Sequence, residues 1–318
     1  MISFPETIRV VEVGPRDGLQ SLGKWIETDA KVAMIDRLSE AGLPVIEVTG
    51  FVHPKVIPTL RDATEVCARI RRRPGTIYRA LVPNARGAER AVPAKLDELL
   101  GLITVSETYL RKNQNMSTDE AIEQGAASFR IADEAGIAFV MAVGVALWCT
   151  YEGTIPDEQT LGVVERLRNA GIRRFYIAGS SGLEDPRQVN RVFGKLRDAH
   201  PDCEFGYHVH DLAGTAAANI LAAIEAGATF VEGAICGIGG GIAFPKQVGS
   251  LGNYPTEDLV TLLATMGIET GLDPVTIQET ARDVARILDI EPRSRTANGI
   301  TREGLLRQAK TSPAPAQA

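Results

Sequence analysis

Runs of apolar and β-branched residues alternate with amphipathic stretches from residue 8 to about residue 265 of the 318-residue chain. Such runs predict strands, and stretches with apolar residues three or four positions apart predict helices. The predicted strands cover residues 8–13, 45–48, 76–81, 102–104, 138–145, 174–177, 204–209 and 230–235. The predicted helices cover residues 28–41, 56–72, 84–92, 118–135, 157–170, 186–199, 214–226 and 256–266. Eight alternating pairs over about 250 residues predict an α/β fold, a closed (β/α)8 TIM barrel.

Four of the predicted helices end with the same pattern, an alanine followed by a glycine just before the next predicted strand. Glycine at that position adopts the left-handed conformation that ends a helix at low cost. The pattern occurs at residues 40–42, 134–136, 169–171 and 225–227. This faint internal repeat supports a barrel of equivalent units. A doubly wound open sheet is the alternative, because the sequence alone does not determine the order of the strands.

The chain after the eighth predicted helix differs in character from the barrel region. An amphipathic segment at residues 276–288 predicts an extra helix packed outside the barrel. The last eight residues are rich in proline and alanine and have too few large apolar side chains to bury a core. We therefore expect a barrel domain at 1–273, a short C-terminal helical extension at 274–310 and a disordered tail at 311–318.

Composition and charge narrow the class of protein. The chain carries 34 Lys and Arg against 40 Asp and Glu, so it lacks the strongly basic character typical of nucleic-acid binding. Its four cysteines lie far apart with no CxxC pair, which indicates a reducing compartment. The N-terminus has no secretion-signal pattern, and the longest apolar run, residues 137–148, is too short to cross a bilayer. We expect a cytoplasmic protein with no nucleic-acid or membrane partner.

Two of the four histidines, His208 and His210, stand two positions apart at the end of the seventh predicted strand. Side chains at i and i+2 of a strand share a face, so both imidazoles point to one place. In a barrel the strands that run into Asp17 and toward Asn253 adjoin this one, and ligands bind at such carboxyl ends. These four side chains offer two oxygen and two nitrogen ligands. The set favours Mg²⁺ or Mn²⁺ over Zn²⁺.

The same residues lie within motifs of a known family. The segment Val13–Gln20, VGPRDGLQ, resembles the opening motif of the hydroxymethylglutaryl-CoA lyase family, which belongs to a group of metal-dependent barrels that includes isopropylmalate and citramalate synthases. Similar stretches follow in the same order, at residues 46–55, 82–87, 106–107, 113–115, 151–153, 208–211 and 252–259. Because the motifs span nearly the whole chain, their combination is highly specific.

The resemblance implies a set of roles. It makes Asp17, His208, His210 and Asn253 the metal ligands. It assigns Arg16, Asp17, Glu47 and His208 to catalysis, with Arg16 holding the substrate carbonyl and the developing enolate while Glu47 supports Arg16. The implied reaction is retro-Claisen cleavage of a 3-hydroxy-3-methylglutaryl-CoA-like thioester to acetyl-CoA and a keto acid. The implied partner is therefore an acyl-CoA, and we keep a homodimer as the expected assembly.

Three departures from the family pattern concern the substrate and the proton donor. The family places a cysteine after the glycine run of the eighth strand, where this chain has Gly241. The segment from there to Asn253 is longer than in the lyases. At the end of the sixth strand the family has Asp-Thr followed by Gly, where residues 178–182 read AGSSG, so the carboxylate is gone and serine replaces threonine. We expect the substrate pocket and its lid to include a set of polar and glycine residues: Gln20, Ser180, Gly239, Gly240 and Gly241.

Other interpretations remain open from the sequence. A bound water, His208 or Cys236 could return the proton in place of the missing cysteine, although a buried structural thiol is the commoner state of such a cysteine. A related lyase of the citramalyl-CoA type, a Claisen synthase or a 4-hydroxy-2-oxo acid aldolase would use similar residues. The synthases normally add a long C-terminal extension, and only about 45 residues follow the predicted barrel here, too few for a regulatory domain. A metal-binding barrel without catalytic activity is the last alternative.

Overall fold

Eight parallel strands close into a barrel in the computed structural model, which describes residues 4–240 and 252–311. In these residues the barrel strands are β1 (Arg9–Glu12), β2 (Val45–Gly50), β3 (Ile77–Leu81), β4 (Glu98–Thr104), β5 (Ala138–Gly144), β6 (Arg174–Gly179), β7 (Glu204–Val209) and β8 (Phe230–Gly233). Each strand pairs with its neighbours in sequence, and β1 pairs with both β2 and β8. This closure confirms the (β/α)8 barrel and rules out the open sheet.

Helices surround the barrel and extend past it at the C-terminus. Those that follow the strands are α1 (Thr28–Glu40), α2 (Ala63–Arg69), α3 (Ala85–Ala91), α4 (Glu107–Gln114), α5 (Thr118–Glu134), α6 (Asp157–Asn169), α7 (Pro186–Ala199), α8 (Ala216–Glu225) and α9 (Thr256–Thr265). The C-terminal extension holds α10 (Pro274–Leu288), α11 (Arg295–Asn298) and α12 (Arg302–Thr311). Within residues 4–240 and 252–311, no helix has the length and apolar character needed to cross a membrane.

Several element boundaries differ from the sequence-based predictions. Strand β4 begins at Glu98, four residues early, because that charged side chain pairs inside the barrel with Arg174. The predicted helix at 56–72 is only α2, preceded by a short turn that starts at Pro58, which has no amide to donate. Helix α4 was not predicted; it starts where Ser106 Oγ accepts the Tyr109 amide at 3.1 Å.

The C-terminal extension is built from more than the single helix that we predicted. Helix α10 starts two residues early, at Pro274, and contacts α1 and α9 on the outside of the barrel. Asp273 caps it by accepting the Thr276 amide at 2.9 Å. The predicted disordered tail begins at Thr311, which instead ends α12, and its remaining residues, 312–318, lie outside the described chain.

Charged side chains occupy the barrel interior, where (β/α)8 barrels usually carry layers of branched apolar residues. Arg79 on β3 is 1% exposed and pairs with Glu47 on β2 and Glu232 on β8. Nearer the amino ends of the strands, Arg174 on β6 pairs with Glu98 on β4. Burial of a charge is tolerated when an opposite charge and hydrogen bonds accompany it. These buried ion pairs therefore allow charged side chains to lie inside the barrel, beneath the polar side chains at the carboxyl ends of the same strands.

Candidate metal centre

The chain after β1 forms a single wide helical turn, Gly14–Gly18, that buries Arg16 and Asp17 at the mouth of the barrel. Glu12, the last residue of β1, fixes this turn by accepting the Gly14 amide at 2.7 Å. A Cβ at Gly14 would lie 2.6 Å from the Glu12 Oε1 atom, so only glycine fits there. The Glu12 carboxylate also accepts the Ile235 amide at 2.9 Å, which joins the ends of β1 and β8.

Three predicted ligands meet at this mouth. Ligand atoms of Asp17, His208 and His210 all lie within 4.8 Å of one another, and all three residues are buried. The Nε2 atoms of the two histidines are 3.3 Å apart, and His210 Nε2 lies 3.5 Å from Asp17 Oδ2. The i, i+2 spacing on β7 therefore places both imidazoles beside the Asp17 carboxylate.

Asn253, the fourth predicted ligand, joins the group from the segment just before α9. It forms an isolated bridge with His210, and its Nδ2 donates to Asp17 Oδ2 at 2.7 Å and to the Ile238 carbonyl at 3.0 Å. Its Oδ1 atom is buried and accepts no hydrogen bond from any residue in the described ranges. A buried carbonyl oxygen without a partner is costly, so this atom fits a ligand of a cation.

The hydrogen bonds behind the histidines determine which ring nitrogens are available. His210 Nδ1 lies 2.8 Å from the Ser180 carbonyl oxygen, which can only accept, so Nδ1 carries the proton. His208 Nδ1 lies 3.0 Å from Glu232 Oε2 and likewise donates. Both Nε2 lone pairs then face each other beside a carboxylate. This arrangement favours a divalent cation, since neutral imidazoles with such supports are typical metal ligands.

Arg16 lies next to the ligand atoms. Its Nε donates to Glu47 Oε1 and its Nη1 donates to Asp17 Oδ1 at 2.8 Å. Burial disfavours both charges, but the charge of Arg16 outweighs burial and holds the pKa of Asp17 well below its usual value. Burial would lower the pKa of Arg16, yet Glu47 and Asp17 raise it. No residue of the described chain accepts from Arg16 Nη2, which leaves that nitrogen for a ligand.

A chain of buried ion pairs connects Arg16 to His208 beneath the site. Arg79 Nη2 lies 3.0 Å from Glu47 Oε2 and 2.5 Å from Glu232 Oε1. One nitrogen therefore ties together the carboxylate that holds Arg16 and the carboxylate that orients His208. Neither Arg79 nor Glu232 was predicted as a site residue from the sequence. Their signal was a charged residue at an inward position of a predicted strand, which is unusual unless it has a buried partner.

A cavity of about 310 Å³ opens beside Arg16 and three of the predicted ligands, Asp17, His208 and His210. Two predicted substrate residues line it. Gln20 donates to Asp17 Oδ1 at 2.7 Å, and Ser180 supplies the carbonyl that holds His210. The Ser180 hydroxyl accepts the Val145 amide at 2.9 Å, so its main contacts hold neighbouring groups in place.

In the glycine run after β8, Gly239 lies against Asn253 and Asp17, but neither Gly239 nor Gly240 lines the cavity as we predicted. Gly239 has φ +137°, and a Cβ there would collide with Asn253 Nδ2, so glycine is required for the close approach. Gly240 accepts the Ser21 hydroxyl at 3.0 Å. Gly241 and the rest of the predicted lid to residue 251 lie outside the described residues.

Cys236 does not serve the site. Its thiol donates to the Ala281 carbonyl of α10 at 3.2 Å, and burial raises its pKa far above the usual value. A protonated thiol held against the outer helix cannot reach the cavity, so the alternative that Cys236 replaces the family cysteine is wrong. These contacts agree with the other interpretation, that Cys236 is a buried structural thiol.

Comparisons with known proteins agree with the fold and the motifs. The family described as HMGL-like matches residues 7–284. The hydroxymethylglutaryl-CoA lyase YngG of Bacillus subtilis (strain 168) is 39% identical over 269 residues, which cover 85% of this chain and 89% of that protein. The human mitochondrial hydroxymethylglutaryl-CoA lyase is 35% identical over 297 residues, 93% of this chain and 90% of that protein.

A solved structure covers the whole fold. The HMG-CoA lyase of Acinetobacter baumannii, in complex with coenzyme A and 3-methylmalate, is 32% identical with a TM-score of 0.89, over 99% of this chain and 100% of that chain. The matched family region includes β1 to β8 and extends through most of α10. The chain belongs to the HMGL-like family.

Proposed function

We propose that the protein is a divalent-metal-dependent carbon–carbon lyase that cleaves 3-hydroxy-3-methylglutaryl-CoA, or a close relative, to acetyl-CoA and a keto acid. The single observation that carries the proposal is the group of buried ligand atoms beside Arg16. Asp17, His208 and His210 present their ligand atoms within 4.8 Å, and the Asn253 Oδ1 atom has no partner in the described chain. A carboxylate, two imidazoles and an amide oxygen suit Mg²⁺ or Mn²⁺.

The relatives support an acyl-CoA substrate. Those compared above are named hydroxymethylglutaryl-CoA lyases, and one of them is complexed with coenzyme A. The cavity of about 310 Å³ has room for an acyl group but not for the nucleotide part of coenzyme A. We infer that the acyl group enters the cavity and the rest of the thioester stays at its mouth.

The reaction breaks the bond between C2 and C3 of the thioester. The 3-hydroxyl loses its proton, C3 becomes a ketone, and the electron pair of the broken bond forms an enolate of the acetyl thioester. That enolate then takes up a proton at C2 and leaves as acetyl-CoA. A divalent cation bound by the four ligands would lower the pKa of the substrate's hydroxyl and contribute several kcal/mol to the barrier reduction.

The chain's own residues orient the substrate and handle protons. Arg16 has a nitrogen available for the thioester oxygen, where negative charge develops in the transition state, and Glu47 and Asp17 hold its guanidinium in place. Asp17 stands beside the site and can carry the hydroxyl proton away. His208, the other proton carrier expected from the sequence, uses Nδ1 for Glu232 and Nε2 for the cation, so it fits a ligand better than a proton carrier. The enolate can take its proton from water, since the family's cysteine is replaced by Gly241.

The test is product identification by mass spectrometry. Protein stripped of metal and then supplied with Mg²⁺ or Mn²⁺ is given 3-hydroxy-3-methylglutaryl-CoA or citramalyl-CoA, and acetyl-CoA is measured with its keto acid. We expect release with metal, none after chelation, and loss of both metal affinity and activity in Asp17→Asn. The control is Asp157→Asn, a buried aspartate that pairs with Arg191 and Lys195 away from the site.

Each outcome separates one alternative. Turnover of citramalyl-CoA alone would assign the related lyase, and metal binding without cleavage of either thioester would assign a non-catalytic barrel. Asp17→Asn with unchanged activity would remove Asp17 from the site.

We also propose the domain limits and assembly expected from the sequence, a barrel at 1–273 with its extension at 274–310, and a homodimer. Contacts of α10 with α1 and α9 support an extension packed on the barrel. Leu305 and Leu306 on α12 are each 56% exposed, which offers apolar surface for a second copy. Light scattering of the purified protein tests the dimer, and a monomeric mass would exclude it.

A further inference from the structure

The floor of the cavity carries a phenol that the proposed roles do not use. Tyr176 and Ala178 alternate along β6 and point into the barrel, Ser180 follows two positions later just past the strand, and all three line the cavity. Ala178 has a small side chain, so the cavity reaches past it to Tyr176. Tyr176 is 3% exposed. The phenol is therefore available to a molecule in the cavity and to little else.

The ring of Tyr176 is held firmly next to the metal centre. It stacks on the His208 imidazole with centroids 5.4 Å apart and an interplanar angle of 25°. The Arg79 guanidinium carbon lies 6.0 Å from the ring centroid. Aromatic and cationic neighbours on a buried ring leave it little freedom to turn, so the hydroxyl has a defined position relative to the ligands.

The Tyr176 hydroxyl has no hydrogen-bond partner within the described residues. A tyrosine this deeply buried usually satisfies its hydroxyl. A phenol keeps its proton near neutral pH and can act as a neutral donor. An unused donor in a substrate cavity indicates an acceptor on the substrate.

We propose that the Tyr176 hydroxyl donates a hydrogen bond to the carboxylate at the end of the acyl group remote from the thioester, and so helps to select the substrate. This inference rests on the proposed function. Coenzyme A is too large for the cavity and stays at its mouth, so the remote end of the acyl group reaches the floor. Tyr176 thus favours acyl groups with an oxygen at that end over purely alkyl ones, because an alkyl group would leave the hydroxyl unsatisfied.

The chain provides a matched control for Tyr176→Phe. Tyr207 on the adjacent strand β7 is also buried, and its hydroxyl also lacks a partner in the described chain. Its ring packs edge-on against Phe193 of α7, on the outer side of the barrel, and it does not line the cavity. Tyr207→Phe removes the same atom from an equally buried phenol without touching the substrate.

The experiment measures four quantities in wild type, Tyr176→Phe and Tyr207→Phe: kcat/KM for 3-hydroxy-3-methylglutaryl-CoA, the inhibition constant of acetoacetate, the Mn²⁺ dissociation constant and Tm. We expect Tyr176→Phe to lower kcat/KM by about 10- to 100-fold and to raise the inhibition constant of acetoacetate by a similar factor. This is the range for a lost hydrogen bond to a charged group. Mn²⁺ affinity and Tm should not change, because the hydroxyl bonds to no other residue of the described chain. Tyr207→Phe should match wild type throughout.

The outcomes separate this inference from the proposed function. Wild-type kinetics in Tyr176→Phe would overturn the inference, as would a loss of Mn²⁺ affinity in step with activity, because Tyr176 would then act through His208. A wild type that binds 3-hydroxy-3-methylglutaryl-CoA without cleaving it would contradict the proposed lyase activity, and calorimetric binding to Tyr176→Phe would then decide the hydrogen bond. A wild type that neither binds nor cleaves that thioester would overturn both.

Discussion

Replacing Arg79 with methionine tests the ion-pair chain beneath the metal centre. Arg79 Nη2 contacts Glu47 at 3.0 Å and Glu232 at 2.5 Å, and both carboxylates are fully buried. Methionine fills part of the space but leaves both acids without their shared cation. Removal of one member of a buried pair typically costs about 3–5 kcal/mol. We expect a loss of that order in the free energy of unfolding.

The same substitution should weaken the metal site without changing any ligand. Glu47 holds Arg16 and Glu232 orients His208, so the loss of Arg79 frees both supports. Substitutions behind metal ligands commonly reduce metal affinity or activity by about 10- to 100-fold. Urea unfolding of the metal-free protein gives the stability, and Mn²⁺ titration followed by electron paramagnetic resonance gives the affinity.

Arg174→Met is the matched control. Arg174 also pairs with two glutamates in the barrel, but it lies nearer the amino ends of the strands and its side chain is 33% exposed. Solvent screens that pair, so we expect a cost of roughly 1 kcal/mol and an unchanged Mn²⁺ affinity. The reasoning would be refuted if Arg79→Met kept wild-type metal affinity, or if both variants lost stability and affinity equally.

Two further substitutions test separate parts of the structure. Burial raises the pKa of Glu257 to about 8 from 4.5, although hydrogen bonds from Ser294 and the Cys236 amide oppose the rise. The contribution of protonated Glu257 to the free energy of unfolding is therefore full below pH 4.5. That contribution is lost as the pH rises toward 8, on the order of 1.4 kcal/mol per pH unit. Urea unfolding from pH 5 to 8.5 should show a flatter pH dependence in Glu257→Gln than in wild type or the exposed control Glu279→Gln, and parallel curves would contradict this. Asn253→Ala removes the unpartnered Oδ1 and should weaken Mn²⁺ binding by about 10- to 100-fold while excess metal restores turnover. Asn219→Ala, which removes another buried, unpartnered Oδ1 outside the cavity, should bind Mn²⁺ as wild type does; equal losses in the two variants would point to general destabilisation.

Local sequence patterns predicted the fold because the information they carry is short-range. Alternation of apolar runs and amphipathic stretches depends on the geometry of single strands and helices, and β7 and α7 have the predicted limits. The spacing of His208 and His210 likewise requires only the two-residue period of a strand. Once the strands adjoin in a closed barrel, the mouths that carry Asp17 and Asn253 also meet the histidines.

Only the tertiary structure determined which side chains surround the four predicted metal ligands. Glu98 looks like a strand breaker in the sequence, yet it lies within β4 because Arg174, 76 residues away, neutralises it. The pairing of Arg79 with Glu47 and Glu232, and the position of Tyr176 beside His208, depend on which strands close the barrel and how they are staggered. Such contacts join residues far apart in the chain, and a local period cannot encode them. Local patterns therefore specified the elements and one pair of ligands, His208 and His210. Closure of the barrel determined which charged side chains surround those ligands and hold them in place.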